Sequence, residues 1–487
     1  MDSGLEAVIG LEVHVQLLTR TKMFCACRNE YGGAPNTRTC PVCLGLPGAL
    51  PVINSEAVRM ALALGLALEG TIRERSVFYR KHYFYPDLPK GYQITQGPVA
   101  VVEQGRLRIP GDPAVRPDGG SLTVGIERAH LEEDAGKSNH ELGEGASYVD
   151  LNRAGVPLLE IVGAPDLRSG QEAYDYLKAV HRLVTFLGIC DGNLDEGSFR
   201  CDANVSVHRR GEPLGTRVEV KNINSFRFVK QALDYEIERQ GGLVARGESF
   251  TQETRGWDAD QGVTRSQRSK EAAQDYRYFP EPDLPPLVIA QAEIEAARLS
   301  LPELPEARFE RFTAQYGVSA YEAGLLLQSP AFADFFEAVA RDGMGKPAAN
   351  WMLGEVSRTL NERGVGIGEL GLRAEALAEL LDLVRDGAIN LNTAKEAVFP
   401  AMLAGEGDPG GIVAARGLGQ VSERGPIEAV VQAVLAANAA QLEQYRSGKS
   451  SLRGYFVGQV MKAGKGKMNP QLVNEVLDQA LAAGAQP

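Results

Sequence analysis

The sequence predicts an α+β fold: an antiparallel-sheet domain over residues 1–293, an all-helical domain over 294–404 and a helical tail over 405–487. Three observations carry that reading. Short segments early in the chain, above all Val8–Leu17, Phe199–His208 and Arg217–Lys221, alternate apolar and polar residues. Period two is the pattern of antiparallel strands with one buried and one polar face. Near Pro280–Pro286 the composition changes, and from Gln291 the apolar spacing is helical. At Gly405–Gly411 the helical pattern breaks, and this stretch reads as a linker.

At 487 residues the chain is too long for one ordinary domain. With 44% hydrophobic and 23% charged residues it is core-forming. No apolar run approaches the roughly 20 residues of a membrane-spanning helix, so no membrane association is expected. Met1–Glu6 lacks a basic and an apolar region, which predicts no secretory signal and a cytoplasmic protein. The net charge of −12 excludes a wholly basic nucleic-acid-coating surface but not a local basic patch.

Along the first strand, Ile9, Leu11, Val13, Val15 and Leu17 share one face, and Gly10, Glu12, His14 and Gln16 the other. Glu12 and His14 thus project together, as a metal pair or proton-sharing pair would. A solvated strand face is the plainer alternative for that pair taken alone. Cys25-x-Cys27 and Cys40-Pro-Val-Cys43 flank a turn-rich loop. Two short thiolate pairs of this kind suit one tetrahedral Zn²⁺, structural because four sulfurs leave no open position. Two disulfides or four free thiols are the alternatives.

Ser55–Leu68 reads as a helix. Phe78–Lys90 then interleaves aromatic and basic residues, as would stack on bases and hold phosphates, or equally form an aromatic corner of the core. Lys81 stands out there as a cation for the carboxylates. Leu122–Asp134 passes from strand into a turn carrying Glu127, His130, Glu132, Glu133 and Asp134, either a charged turn or a run of Mg²⁺ ligands. Val156–Val162 is an apolar strand with Glu160 in its middle, a charge that needs a partner or a metal. Gln171–Leu187 and Ser225–Arg239 read as helices, and Gln252–Arg255 and Asp275–Pro280 as loops. On the outward face of 199–208 lie Arg200, Asp202, Asn204, Ser206 and His208, and on that of 217–221 Arg217, Glu219 and Lys221. This array resembles phosphate donors and metal acceptors more than a random solvated face.

Helices are expected at Arg308–Tyr316, Tyr321–Leu327, Ala331–Arg341, Ala349–Arg363, Ala374–Asp386, Thr393–Ala404, Pro426–Tyr445 and Gln471–Leu481. Between Glu443 and Glu475 there is no acid, but Arg446, Lys449, Arg453, Lys462, Lys465 and Lys467 are present. In an acidic protein that reversal points to a polyanion, with a solvated basic helix as the alternative. No phosphate-binding P-loop and no G-x-S-x-G elbow occurs. The chain is equipped for a metal–nucleotide site and not for releasing ammonia.

Seven long segments resemble the B subunits of the aspartyl/glutamyl-tRNA(Asn/Gln) amidotransferases: 9–17, 83–93, 130–137, 150–162, 196–204, 218–226 and 275–283, together with the tail at 458–474. The resemblance covers essentially the whole chain. It implies a glutamine synthetase-like sheet and a heterotrimer, with an amidase (the A subunit) that releases ammonia and a small C subunit. It implies that the B subunit uses ATP and Mg²⁺ to phosphorylate the side-chain carboxylate of Glu-tRNA(Gln) or Asp-tRNA(Asn), and that ammonia displaces the phosphate. Carried over by residue, Glu12, His14, Glu133 and Glu160 resemble the metal and transfer site. Lys81 lies where ammonia should meet the activated carbonyl, and Arg200 and Asp202 are candidate nucleotide contacts. Not every member has the thiol cluster, so Zn²⁺ rests on Cys25, Cys27, Cys40 and Cys43 themselves. Lys449, Arg453, Lys462, Lys465 and Lys467 are the expected tRNA contacts. A different class of function is a non-catalytic tRNA-docking protein with structural metals.

Overall fold

A computed structural model of the chain describes residues 4–139, 145–269, 275–341, 343–421, 423–464 and 467–482. The chain forms two compact units, Met1–Pro305 and Glu306–Pro487.

Within the first unit, seven strands of a twelve-stranded sheet carry the polar face. They are β1 (Leu5–Gln16), β2 (Phe78–His82), β3 (Tyr92–Gln96), β4 (Ser121–Glu133), β5 (Pro157–Gly163), β6 (Phe199–Arg209) and β7 (Val218–Lys221). Their spatial order is β7-β6-β1-β5-β4-β3-β2, and every neighbouring pair is antiparallel. The sheet as a whole is mixed, because β7 also pairs in parallel with Glu253–Asp258. β1 is central. Strict alternation places Ile9, Leu11, Val13 and Val15 on the face where Leu131, Leu159, Ile161, Phe199 and Ala203 are also buried.

Three helices cover that face: α1 (Ser55–Ala67), α2 (Gly170–Phe186) and α3 (Phe226–Ala245). Each starts where the sequence offers a capping side chain. Asn54, Ser169 and Ser225 accept hydrogen bonds from Glu56 N, Glu172 N and Phe228 N. Ala61, Leu62, Leu177, Val180, Val229 and Leu233 pack into the common core, each large aliphatic side chain contributing roughly 1.5–3 kcal/mol on burial. With the helices on one face only, the other face is free to be polar.

Two segments expected as loops are strands. Glu253–Asp258 and Val263–Ser269 form a hairpin, and Phe279–Pro280 pairs with Tyr79 and Arg80. The hairpin sequence is polar on both faces, so no apolar alternation marks it.

The second unit is helical from Pro305–Tyr316 to Pro470–Ala482. The 349–363 helix is interrupted by a π-helical turn at Met352–Val356, and the 426–445 pattern divides at Asn438. The linker reading of Gly405–Gly411 does not hold in its second half. A helix starts at Pro409 with Pro409 and Ile412 buried, and Glu379 accepts a hydrogen bond from Gly410 N at 3.1 Å. Proline at the first helical position is favoured, since its missing N–H would have no partner there. The acid-free stretch contains a helix, Leu452–Ala463, whose Phe456 and Val460 join Ile427, Val431, Val473 and Leu477 in a separate core.

Candidate active site

The open face of the sheet builds the site by register. β1 lies between β6 and β5, so His14 is opposite Arg200 on one side and Glu160 on the other, and Glu160 is opposite His130 of β4. Residues directly opposed across an antiparallel pair share a face. Two positions along β4, Glu132 joins them. His14 Nε2 lies 3.4 Å from Glu160 Oε2, and His130 Nε2 lies 3.6 Å from both Glu160 Oε2 and Glu132 Oε2. His14, Glu132 and Glu160 each present a ligand atom within 4.8 Å of the others.

These groups are largely buried, and their charges are set by one another. Burial alone would raise the Glu160 carboxyl, but His14, His130 and Lys81 outweigh it and hold it well below the usual carboxylate range. Burial likewise works against the His14 imidazolium, and Glu160 and Glu132 more than compensate. Lys81 Nζ sits 5.1 Å from the Tyr276 ring centroid. Burial disfavours its charge, but Glu132, Tyr278 and Glu160 keep it protonated above the ordinary lysine value. His14, Lys81, Glu132, Glu160, Asp134, Arg200, Asp202 and Lys221 line one cavity of about 350 Å³.

Glu12, one step further along β1, is opposite Asp202, and Asn204 Nδ2 donates to its Oε1 at 3.3 Å. Burial, Glu160 and Asp202 push its carboxyl up. Asp202 is held by Lys221 Nζ at 2.9 Å. Arg200 Nη2 donates to Asp134 Oδ2 at 2.7 Å, and Gln16 Nε2 donates to the same oxygen at 2.8 Å. Arg200 and Asp202 both line the cavity, each tethered by one ion pair, and Arg200 Nε has no hydrogen-bond partner among the described residues.

Glu133 is not brought to this cluster. Alternation along β4 puts Glu132 on the polar face with His130 and turns Glu133 to the opposite face. There it pairs with Lys90, and its Oε1 accepts from Ile94 N at 2.9 Å. The signal was present: in H-L-E-E the first glutamate is two residues from His130, and period two assigns it to the histidine's face.

The four thiols Cys25, Cys27, Cys40 and Cys43 gather with their Sγ atoms within 4.8 Å of one another, and none is in a disulfide. Cys40 Sγ and Cys43 Sγ are 3.9 Å apart, close to the roughly 3.8 Å that a tetrahedral site with ~2.3 Å Zn–S bonds requires. The Cys43 thiol is drawn down to about 5 by hydrogen bonding with Cys25, by the Cys40 N–H and by Lys22, whose Nζ is 3.8 Å away. Burial pushes Cys27 up to about 11. A smaller cavity of about 200 Å³ lies between the thiols and the Lys90–Glu133 pair.

Of the basic tail residues, Lys449 and Lys462 are exposed, Arg453 Nε donates to Asp478 at 2.6 Å, and Lys467 Nζ donates to Gly417 O at 2.8 Å. Lys465 lies outside the described residues. Among the described residues no helix is long and apolar enough to cross a membrane.

Comparison with known proteins gives the arrangement its context. Residues 7–295 match a family model described as the GatB/GatE catalytic domain, and residues 334–481 one described as the GatB domain. The chain is 54% identical over 479 residues, 98% of its length and 99% of the relative's, to the B subunit of an aspartyl/glutamyl-tRNA(Asn/Gln) amidotransferase from Thioalkalivibrio sulfidiphilus. It is 54% identical over 484 residues to the protein of that name from Myxococcus xanthus, with 98% and 99% covered. The Syntrophotalea carbinolica protein of that name is 52% identical over 483 residues, with 99% of each chain covered.

Proposed function

The chain belongs to the family of aspartyl/glutamyl-tRNA(Asn/Gln) amidotransferase B subunits, and from that premise we propose that it is the ATP-dependent carboxylate-activating component of such a ligase. The observation that carries the proposal is the meeting of His14, Glu132, Glu160 and Lys81 in one cavity on the open face of the sheet. In this reading a carboxylate oxygen of Glu-tRNA(Gln) or Asp-tRNA(Asn) attacks the terminal phosphorus of ATP. The bond from that phosphorus to the bridging oxygen breaks, and ADP leaves. Ammonia then attacks the acyl carbon, loses a proton, and inorganic phosphate departs.

Two carboxylates and one imidazole fit a divalent cation, and Mg²⁺ is the ion proposed for His14, Glu132 and Glu160. Bound there, it would neutralise charge spreading over the transferring phosphoryl group. Glu12 and Asp202 extend the acidic row. Lys81, protonated beside two of the carboxylates, would orient an anionic acyl phosphate. His130 touches both Glu132 and Glu160 and fixes their orientation.

The gathered thiols support one structural Zn²⁺ on Cys25, Cys27, Cys40 and Cys43, because four preassembled sulfurs repel one another unless a cation neutralises them. No nucleophile elbow occurs in the sequence, so ammonia would come from the amidase, with the small C subunit completing a cytoplasmic heterotrimer. The separate hydrophobic core at 427–481 supports a tail module, distinct from the helices before it, that grips tRNA through exposed Lys449 and Lys462. The test is amidation by the chain assembled with its amidase and small partner. Glu160→Gln should abolish formation of Gln-tRNA(Gln) from Glu-tRNA(Gln) and leave glutamine hydrolysis in place. Near-normal amidation would favour a docking protein with a structural metal.

A further inference from the structure

The two lysines that line the reaction cavity are held in different ways. Lys221 Nζ pairs with Asp202 at 2.9 Å and with Glu219 at 3.2 Å. Lys81 Nζ has no hydrogen bond or ion pair among the described residues. What holds it is the ring of Tyr276, 5.1 Å from Nζ to the centroid, within the roughly 6 Å reach of a cation–π contact. The difference has a chemical consequence. A carboxylate at hydrogen-bond distance takes up N–H donors and neutralises the charge. A ring face fixes the ammonium and leaves its donors to an anion in the cavity.

Tyr276 is delivered by the segment 275–283, and β2 anchors that segment. Arg80, next to Lys81, grips Glu281 with Nε and Nη2, each at 2.7 Å, and Nη2 also reaches Asp283 at 3.2 Å. The Glu281 side chain is fully buried. Breaking a buried, bidentate pair of this kind costs far more than losing a surface ion pair. Phe279 and Pro280 pair with Arg80 and Tyr79. The His82 ring stacks on Phe279 with centroids 5.2 Å apart, and His82 N donates to Tyr276 O at 3.0 Å. Alternation along β2 divides the work: Arg80 and His82 hold the segment, and Lys81 between them faces the cavity. Arg277, between the two tyrosines, has a φ of 46°. A residue with a Cβ occupies this left-handed region only when its surroundings compel it. Asp275 Oδ1 accepts from Arg277 N at 3.0 Å and closes the turn. The Tyr276 and Tyr278 rings meet edge to face beside it, 6.0 Å between centroids. A strained residue, a buried ion pair and a ring–cation contact are thus spent on placing one lysine.

We propose that Tyr276 is a positioning residue for amidation: its ring holds the Lys81 ammonium in the cavity with its donors free, and the Arg80–Glu281 pair holds the ring. This rests on the role proposed above for Lys81 and adds what keeps that side chain in place. The test uses the assembled heterotrimer with ammonium chloride as nitrogen donor and Glu-tRNA(Gln) as acceptor. Y276L removes the ring face and should lower kcat at least about tenfold. The KM values for ATP and aminoacyl-tRNA should stay within about twofold, because orientation of an intermediate is lost and not binding of the substrates. Y276F keeps the ring and should hold kcat within about threefold of the unmodified protein. K81M should be slower than Y276L, and K81M/Y276L no slower than K81M, since the ring acts only through the ammonium. Equal losses in Y276F and Y276L would refute the proposal in favour of the hydroxyl group. A further loss in K81M/Y276L would refute it in favour of a ring that merely supports the fold. If Y276L does not assemble, phenylalanines of increasing ring fluorination at position 276 keep the shape and weaken the negative face of the ring; kcat must then fall stepwise with fluorination, and a flat series refutes the contact. A slow K81M beside an unimpaired Y276L would sink the positioning role alone. Near-normal amidation by K81M would sink the reading of Lys81 beneath it.

Discussion

Glu132 and Glu133 are adjacent in sequence, yet they face opposite sides of β4, and exchanging each for Gln should separate two kinds of loss. Glu132 carries one of three ligand atoms within 4.8 Å of one another, and its Oε2 is 3.6 Å from His130 Nε2. Glu132→Gln removes one of the two anionic donors and leaves the imidazole and Glu160. Loss of a single charge-stabilising group costs about 10²–10³-fold in rate, or roughly 3–4 kcal/mol at 1.36 kcal/mol per decade. Even an outer-sphere partner is worth about 10–100-fold in metal affinity, so the Mg²⁺ concentration giving half-maximal rate should rise by at least that much. Glu133→Gln instead breaks the pairing with Lys90 beside the thiol cluster and should leave the Mg²⁺ requirement where it was. The assay is ADP and Gln-tRNA(Gln) formation by the heterotrimer from ammonium chloride, titrated with Mg²⁺. The geometry is refuted if Glu133→Gln shifts the Mg²⁺ midpoint as far as Glu132→Gln does, or if Glu132→Gln shifts it less than about threefold, well under that range.

Elemental analysis of the purified protein should give close to one zinc per chain, absent from the double variant Cys40→Ser/Cys43→Ser; a metal-free protein with ordered thiols would contradict the zinc site. Glu236 is buried on α3, where Arg239 Nη2 approaches at 2.8 Å, Gln240 Nε2 at 2.9 Å and Arg255 Nε at 3.1 Å. Glu236→Ala leaves Arg239 without its carboxylate, while Arg255 keeps Glu253 and Thr264, and should cost about 3 kcal/mol in denaturant unfolding. Burial opposes the Glu236 charge, but Arg239, Gln240 and Thr264 hold its carboxyl below the ordinary value. Its contribution should therefore be complete above the unfolded value of about 4.3 and fall away as pH drops through the lower folded one; Glu236→Gln should show a flatter acid limb, and an unchanged limb would count against the network. In the tail, Lys449→Ala/Lys462→Ala should weaken charged-tRNA binding and flatten its log–log salt dependence by about one unit for each phosphate no longer neutralised, with ATP binding unmoved. An unchanged salt slope would make these lysines a solvated face.

The open face of the sheet was legible because β1 is strictly alternating. Its apolar positions make Glu12, His14 and Gln16 face away from the core, and the same rule reads Arg200, Asp202 and Asn204 on β6. The three helices against the sheet were legible from their apolar spacing, although the last continues to Ala245, past the expected end at Arg239, and the helix Leu452–Ala463 within the basic stretch was not anticipated. The polar hairpin at 253–269 was not, because neither of its faces carries the alternation. The helix at Pro409 was hidden for a different reason: glycines and a proline there read as a break, yet Pro409 occupies the first helical position and Ile412 finds a buried site. Its cost in helix propensity is offset by packing that has no local signature.

Which of two adjacent carboxylates joins the His14–Glu160 cluster is also a question of period, but only if the strand does not end between them. A charged run reads naturally as a turn, and in a turn period two does not apply. β4 instead continues to Glu133, because Glu132 and Glu133 each find a partner on their own side. One meets His130 and the His14–Glu160 pair, and the other meets Lys90 and the Ile94 N–H. A strand can carry consecutive buried acids when both faces supply compensation, since an unpaired carboxylate would otherwise give up burial or its charge. The open face thus gathers the His14–Glu132–Glu160 cluster, while the closed face joins the sheet to the thiol loop. A bulge moving the register by one residue between His130 and Glu132 would exchange the two roles. The paired positions Leu158–Glu132, Leu159–Leu131 and Glu160–His130 run without such a shift, and that unbroken stretch selects Glu132.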